Sequence, residues 1–142
     1  MFIAGGASVI AGGSAAAVTG PTQWGRGSWV AAFLVLVAGV AQIGVGAGQA
    51  HLAPRVPCAR LIAAQCVMWN AGCATVIAGT LLSSPQLVVI GSAPLVAALV
   101  TSISVLRGSR SNRSAFLVLY RLLLAVLLAS IPIGVVLAWA RS

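Results

Sequence analysis

The 142-residue sequence contains no aspartate, no glutamate and, since its eight basic residues are all arginine, no lysine. Without carboxylates, paired-carboxylate catalysis, a Ser-His-Asp triad and a Glu-assisted zinc hydrolase are unavailable. Proton-coupled export through a membrane-embedded Asp or Glu is excluded on the same ground, and with it the mechanism of a small multidrug exporter. Charged residues make up 6% of the chain, against roughly 25% in an ordinary soluble domain. The three cysteines, Cys58, Cys66 and Cys73, form no Cys-x-x-Cys pair and no zinc pattern. On one helix Cys66 and Cys73 stand about 10 Å apart along the axis, too far to bridge; all three read as small apolar residues.

Hydrophobic residues account for 61% of the sequence, and the mean hydropathy is +1.12. A soluble fold of this composition lacks the polar side chains to cover its surface. A bilayer removes that requirement. The charge of +8 does not indicate nucleic acid, because the arginines sit in gaps between apolar runs, where the positive-inside rule expects them; anionic lipid supplies the missing negative charge.

Five apolar segments are separated by Pro, Gly, Ser and Arg. They cover residues 2–19, 28–50, 59–82, 86–106 and 114–140, and the run lengths suit the roughly 30 Å of a hydrocarbon core. The expected fold is an all-α transmembrane helical bundle of five helices in one domain, or four if residues 2–19 do not span. That first segment is rich in Gly and Ser, and its Ala4, Ser8, Gly12, Ala16 ladder predicts a face for close helix packing. Pro54 and Pro57 end the second segment, and Ser83-Ser84-Pro85 closes the third. Pro94 and Pro132 lie inside the fourth and fifth, each a few turns from the same membrane face; they read first as shape features of the bundle, since Pro is common in transmembrane helices, and alternatively as two kinks that open a vestibule on that side.

Six arginines, Arg55, Arg60, Arg107, Arg110, Arg113 and Arg121, fall on one side; Arg26 and Arg141 fall on the other. The six-arginine side, with loops 51–58 and 107–113, is therefore expected to be cytoplasmic in a bacterial plasma membrane. Trp24, Trp29 and Trp139 all lie at the opposite ends, as in an aromatic belt, while Phe116 and Tyr120 mark the cytoplasmic interface. The Asn112-Arg113-Ser114 sequon lies on the cytoplasmic side and is discounted.

Polar residues inside the spans are the candidate sites. Gly39, Gln42, Gly46 and Gln49 share one face of the second span, with Gly44 and Gly48 as an adjoining surface for close helix packing. The third span carries Cys66, Asn70, Cys73 and Thr80 on one face, with Gln65 beside it and Trp69 near the middle of the span. Gln42, Gln49, Asn70, Thr80 and Trp69 therefore form either interhelical hydrogen-bonded packing or the lining of a pathway, in which Trp69 stacks and Asn70 with Gln42 supplies polar contacts. A buried Trp69 is expected to bond its N–H to Gln or Asn. His51, the single histidine, suits a helix C-terminus better than a haem or copper site with Met68. No catalytic, metal or cofactor set emerges.

Ala41-Gln42-Ile43-Gly44 through Gln49, Trp69-Asn70-Ala71-Gly72 with Thr75 to Leu81, and Tyr120-Arg121 to Ala138 give the chain a likeness to known sequences. Over residues 20–140 it resembles small, uncharacterised multi-spanning membrane proteins of actinobacteria. The resemblance implies a plasma-membrane location and carries over no activity and no functional residue. The arginine-only, Ala/Gly/Val-rich usage matches a GC-rich genome. The sequence is thus expected to encode a non-enzymatic membrane component acting through helix association, with a membrane-protein partner or copies of itself. The alternative is a small oligomeric transporter or channel for a neutral or anionic solute.

Overall fold

A computed structural model describes residues 1–53, 57–105 and 115–140, the side chain of Phe116 excepted. Pro54, Arg55, the 107–113 loop with its three arginines, the Asn112 sequon and Arg141 lie outside the described residues. Five helices make up the described chain: α1 (Phe2–Thr22), α2 (Gly27–Leu52), α3 (Ala59–Leu81), α4 (Pro85–Val105) and α5 (Ala115–Ala140). All five, the first included, are long and apolar enough to cross a membrane. In lipid, helices are the form that satisfies every backbone group within the segment. The result is an all-α bundle.

Two tight turns set the pairing. α1 ends on Gln23 (φ 52°), with Trp24 N–H donating to the Thr19 carbonyl (3.3 Å) and Gln23 N–H to that of Gly20 (3.3 Å). α3 ends the same way on Ser83 (φ 54°), with Ser84 N–H donating to Gly79 (2.8 Å) and Ser83 N–H to Thr80 (3.4 Å). Each is a Schellman motif, which satisfies orphan carbonyls and reverses the chain at once. The connections are so short that α1 pairs antiparallel with α2, and α3 with α4. Both hairpins close backbone to backbone: a Cβ on Gly72 would lie 2.8 Å from the Gly91 carbonyl oxygen, and one on Gly5 3.0 Å from that of Gly39. α5 packs on α4 and α2.

The packing face of α1 differs from the expected ladder. Gly5 and Gly12 are buried, Ala4 and Ser8 half-buried, and Ala16 is exposed. A four-residue step advances about 40° around a helix, so the ladder drifts off one face, whereas a seven-residue step stays within about 20° of it.

α2 is not a regular α-helix throughout. Leu34–Ala41 winds as a π-helix at mid-span, beside Trp69 of α3 in the bundle core. Along α3 the buried stripe runs through Gln65, Trp69, Gly72, Cys73, Val76 and Gly79, the i, i+4, i+7 spacing of one helical face. Among its described side chains α5 buries Leu117, Tyr120 and Leu124, all in its first half. Beyond Leu124 it leans on the bundle through half-buried Leu127 and Ile131 and exposes Ile133, Val136 and Leu137.

Candidate functional site

The polar residues of the second and third spans meet inside the bundle, though not all with one another. Gln42 and Gln65 have no exposed surface, and Gln49 keeps 4% of its own. Gln49 Nε2 donates to Ser102 Oγ on α4 (3.0 Å), and that hydroxyl donates on to the Ala98 carbonyl (2.8 Å). Gln42 Nε2 reaches Cys66 Sγ at 3.4 Å, the sulfur that Asn70 Nδ2 also approaches at 3.6 Å while donating to the Cys66 carbonyl at 2.7 Å. Gln42 and Asn70 thus converge on Cys66.

The expectation for Trp69 needs correction. Its indole N–H donates to the main-chain carbonyl of Val37 (3.2 Å), and not to a Gln or Asn side chain. Val37 lies in the π-helical stretch of α2, where the wider winding re-aims carbonyls away from the regular α ladder. Gly44 and Gly48 do mark a close contact. What meets them is α5: a Cβ on Gly48 would fall 1.9 Å from the Tyr120 ring, and one on Gly44 3.1 Å from Leu123. Tyr120 is accordingly packed inside the bundle, 4% exposed, with its hydroxyl 3.5 Å from the Val45 carbonyl. Its aromatic ring fills the notch that two glycines leave, a pairing across 72 positions that local pattern does not announce.

Thr80 stands apart, and its Oγ1 donates to Val76 of its own helix (2.9 Å). It lies at the rim of a cavity of about 310 Å³ among α2, α3, α4 and α5. Val37, Trp69, Leu99 and Leu127 form its floor; Trp29 and Phe33, stacked at 5.2 Å, form one wall. Ser92 and Leu95 flank Pro94, and Ile131 and Gly134 flank Pro132, so both prolines adjoin the cavity. The hydroxyls on the wall are used locally: Ser92 donates to Val89 (2.7 Å) and Ser130 to Leu127 (2.8 Å). The cavity therefore offers an apolar surface. Trp69 separates it from Gln42 and Gln65, which lie about one turn deeper, toward the arginine-rich end.

Above the rim is a second depression of about 230 Å³, which shares Trp29, Thr80, Val88 and Ala138 with the first. Arg26 lines it. The guanidinium donates to the carbonyls of Thr80 and Leu81 (3.0 Å to the latter) and to Ser83 Oγ (3.0 Å), covering the end of α3. A cation at a helix C-terminus is electrostatically favoured. At the other end of the bundle His51 occupies the last turn of α2, with Nδ1 3.0 Å from the Ala47 carbonyl. Among the described residues no three His, Cys, Asp or Glu side chains group as metal ligands. Cys58 is exposed, Cys66 half-buried and Cys73 buried, all as thiols.

Ser102, the packing of Tyr120 and the capping by Arg26 were missed by the sequence reading of the site, whereas Gln65 was placed beside its polar face. Gln65 lies four residues before Trp69 on the same stripe; for the others the partner is a distant helix.

Five apolar helices around a buried polar layer define a multi-spanning α-helical membrane protein. Comparison with protein-family models, with curated proteins and with solved structures finds no match for the chain.

Proposed function

We propose that this protein is a non-enzymatic component of a bacterial plasma membrane that acts by helix–helix association, with another membrane protein or with further copies of itself. The carrying observation is the outward face of α1. Gly6, Gly13 and Gly20 recur every seven residues, and a Cβ on any of them would meet nothing within 4 Å. In lipid, such small-residue faces let a second helix approach closely. The polar side chains of α2 and α3, by contrast, are largely engaged inside the bundle. The arginine-rich loops face the cytoplasm in this reading. Affinity purification from native membranes tests it: the chain comes down with partner or sister subunits at fixed stoichiometry, and Gly13→Ile releases them. A lone, monodisperse monomer from native membranes overturns it.

The vestibule beside Pro94 and Pro132 favours a second reading, a small transporter or channel for a neutral or anionic solute. Gln42, Gln49, Asn70 and Thr80 would then line the pathway, and Trp69 with its Val37 bond would have to move aside. Flux into liposomes that falls in Gln42→Leu and Asn70→Leu supports this; flux unchanged in both removes the pathway.

A further inference from the structure

The cavity and the depression above it differ in chemistry and share a rim. We infer that together they form a lipid site, which takes one acyl chain of an anionic phospholipid and pairs its phosphate with Arg26. The wall of the lower cavity is apolar, and its hydroxyls are already bonded to their own helices. A polar solute would find few partners there and a hydrocarbon chain would lose none. From Thr80 at the rim to Trp69 at the floor α3 climbs 11 residues, about 16 Å at 1.5 Å per residue. That is half of the roughly 30 Å hydrocarbon thickness, the depth that the chains of one leaflet occupy. The volume of about 310 Å³ stands at the small end of ligand pockets, which run from roughly 300 to 1,000 Å³. It suits one chain and not two.

Charge selects the headgroup. A guanidinium carries five N–H donors, and the three bonds to Thr80, Leu81 and Ser83 leave two of them for an anion. The sequence holds no Asp or Glu side chain to neutralise it, and an anionic headgroup supplies that counter-charge. Trp29 stands on the shared rim between the two chambers, its apolar ring suited to the boundary between chain and headgroup. This site is independent of the association proposed above, since α1 contributes no wall to the cavity.

The test uses the full chain in vesicles, with Trp24, Trp29 and Trp139 changed to Phe so that Trp69 is the sole tryptophan. Phosphatidylglycerol or phosphatidylcholine with brominated chains is titrated in, and quenching of Trp69 is read. Phosphatidylglycerol is expected to quench at about fivefold lower mole fraction, the ratio for one arginine–anionic lipid contact. Arg26→Gln brings the two lipids together, Arg26→Lys keeps most of the preference, and Arg60→Gln at the opposite end leaves it intact. Gly134→Leu, which fills the cavity wall, lowers quenching by both lipids without touching the α3 cap. Equal quenching by the two lipids in the parent, a preference that survives Arg26→Gln, or a Trp69 that neither lipid quenches overturns the assignment.

Discussion

Gln65 lies one turn below Trp69 with no exposed surface, and among the described residues neither its amide nitrogen nor its amide oxygen meets a hydrogen-bond partner. Burying an unbonded amide costs roughly 1–3 kcal/mol by protein mutational data. In a bilayer the separated helix is also in lipid and its amide finds other partners, which puts the difference at the low end, near ~1 kcal/mol. Methionine has the same unbranched shape and adapts to irregular gaps, so Gln65→Met keeps the packing and removes the unbonded groups. The variant is expected to be more stable than the parent by about 1 kcal/mol. Gln49 provides the opposite case: its amide is bonded to Ser102, and Gln49→Met should cost about 0.6 kcal/mol, the average of an interhelical hydrogen bond in a membrane protein. Reversible unfolding in mixed micelles on titration with dodecyl sulfate, followed by tryptophan fluorescence, gives both values. The midpoint should move up for Gln65→Met and down for Gln49→Met. A Gln65→Met variant destabilised by about 2 kcal/mol or more would refute the reasoning, because repacking a volume-conserving exchange costs less than about 1.5 kcal/mol and the loss would then require a productive partner for that amide.

Other expectations follow from the same packing. Gly48→Ala drives a methyl into the Tyr120 ring and should cost about 1–3 kcal/mol; much of that should return in Gly48→Ala/Tyr120→Leu, and a strictly additive double-mutant cycle would count against the contact. Trp69→Phe removes the bond to the Val37 carbonyl and leaves a gap beside the π-helical segment, a loss of about 1–2 kcal/mol read as a lower unfolding midpoint. An impermeant maleimide should label Cys58 quickly, Cys66 slowly and Cys73 only after denaturation. With the arginine-rich side cytoplasmic, Cys58 reacts in inverted vesicles and not in intact cells; the reverse pattern would invert the topology.

The number, order and approximate ends of the helices were legible in the sequence, because they depend on properties local to the chain. An uncharged apolar run of sufficient length has to satisfy its backbone groups within itself once water is gone, and Pro54, Pro57 and Ser83-Ser84-Pro85 punctuate those runs. The asymmetry of arginine and tryptophan between the two ends is equally local. The burial of Gln42, Gln49 and Trp69 was legible too, since lipid drives amides inward and leaves few other places for them. Only the tertiary structure decided who meets whom. The π-helical turn of α2 set the Val37 carbonyl against the Trp69 indole, Gly48 seated the Tyr120 ring among the helices, and four helices left an apolar chamber beneath Arg26. Each of these depends on how helices far apart in sequence are rotated and tilted against one another. Hydropathy says that a residue is inside. The rotation of two helices about their own axes determines what it touches there.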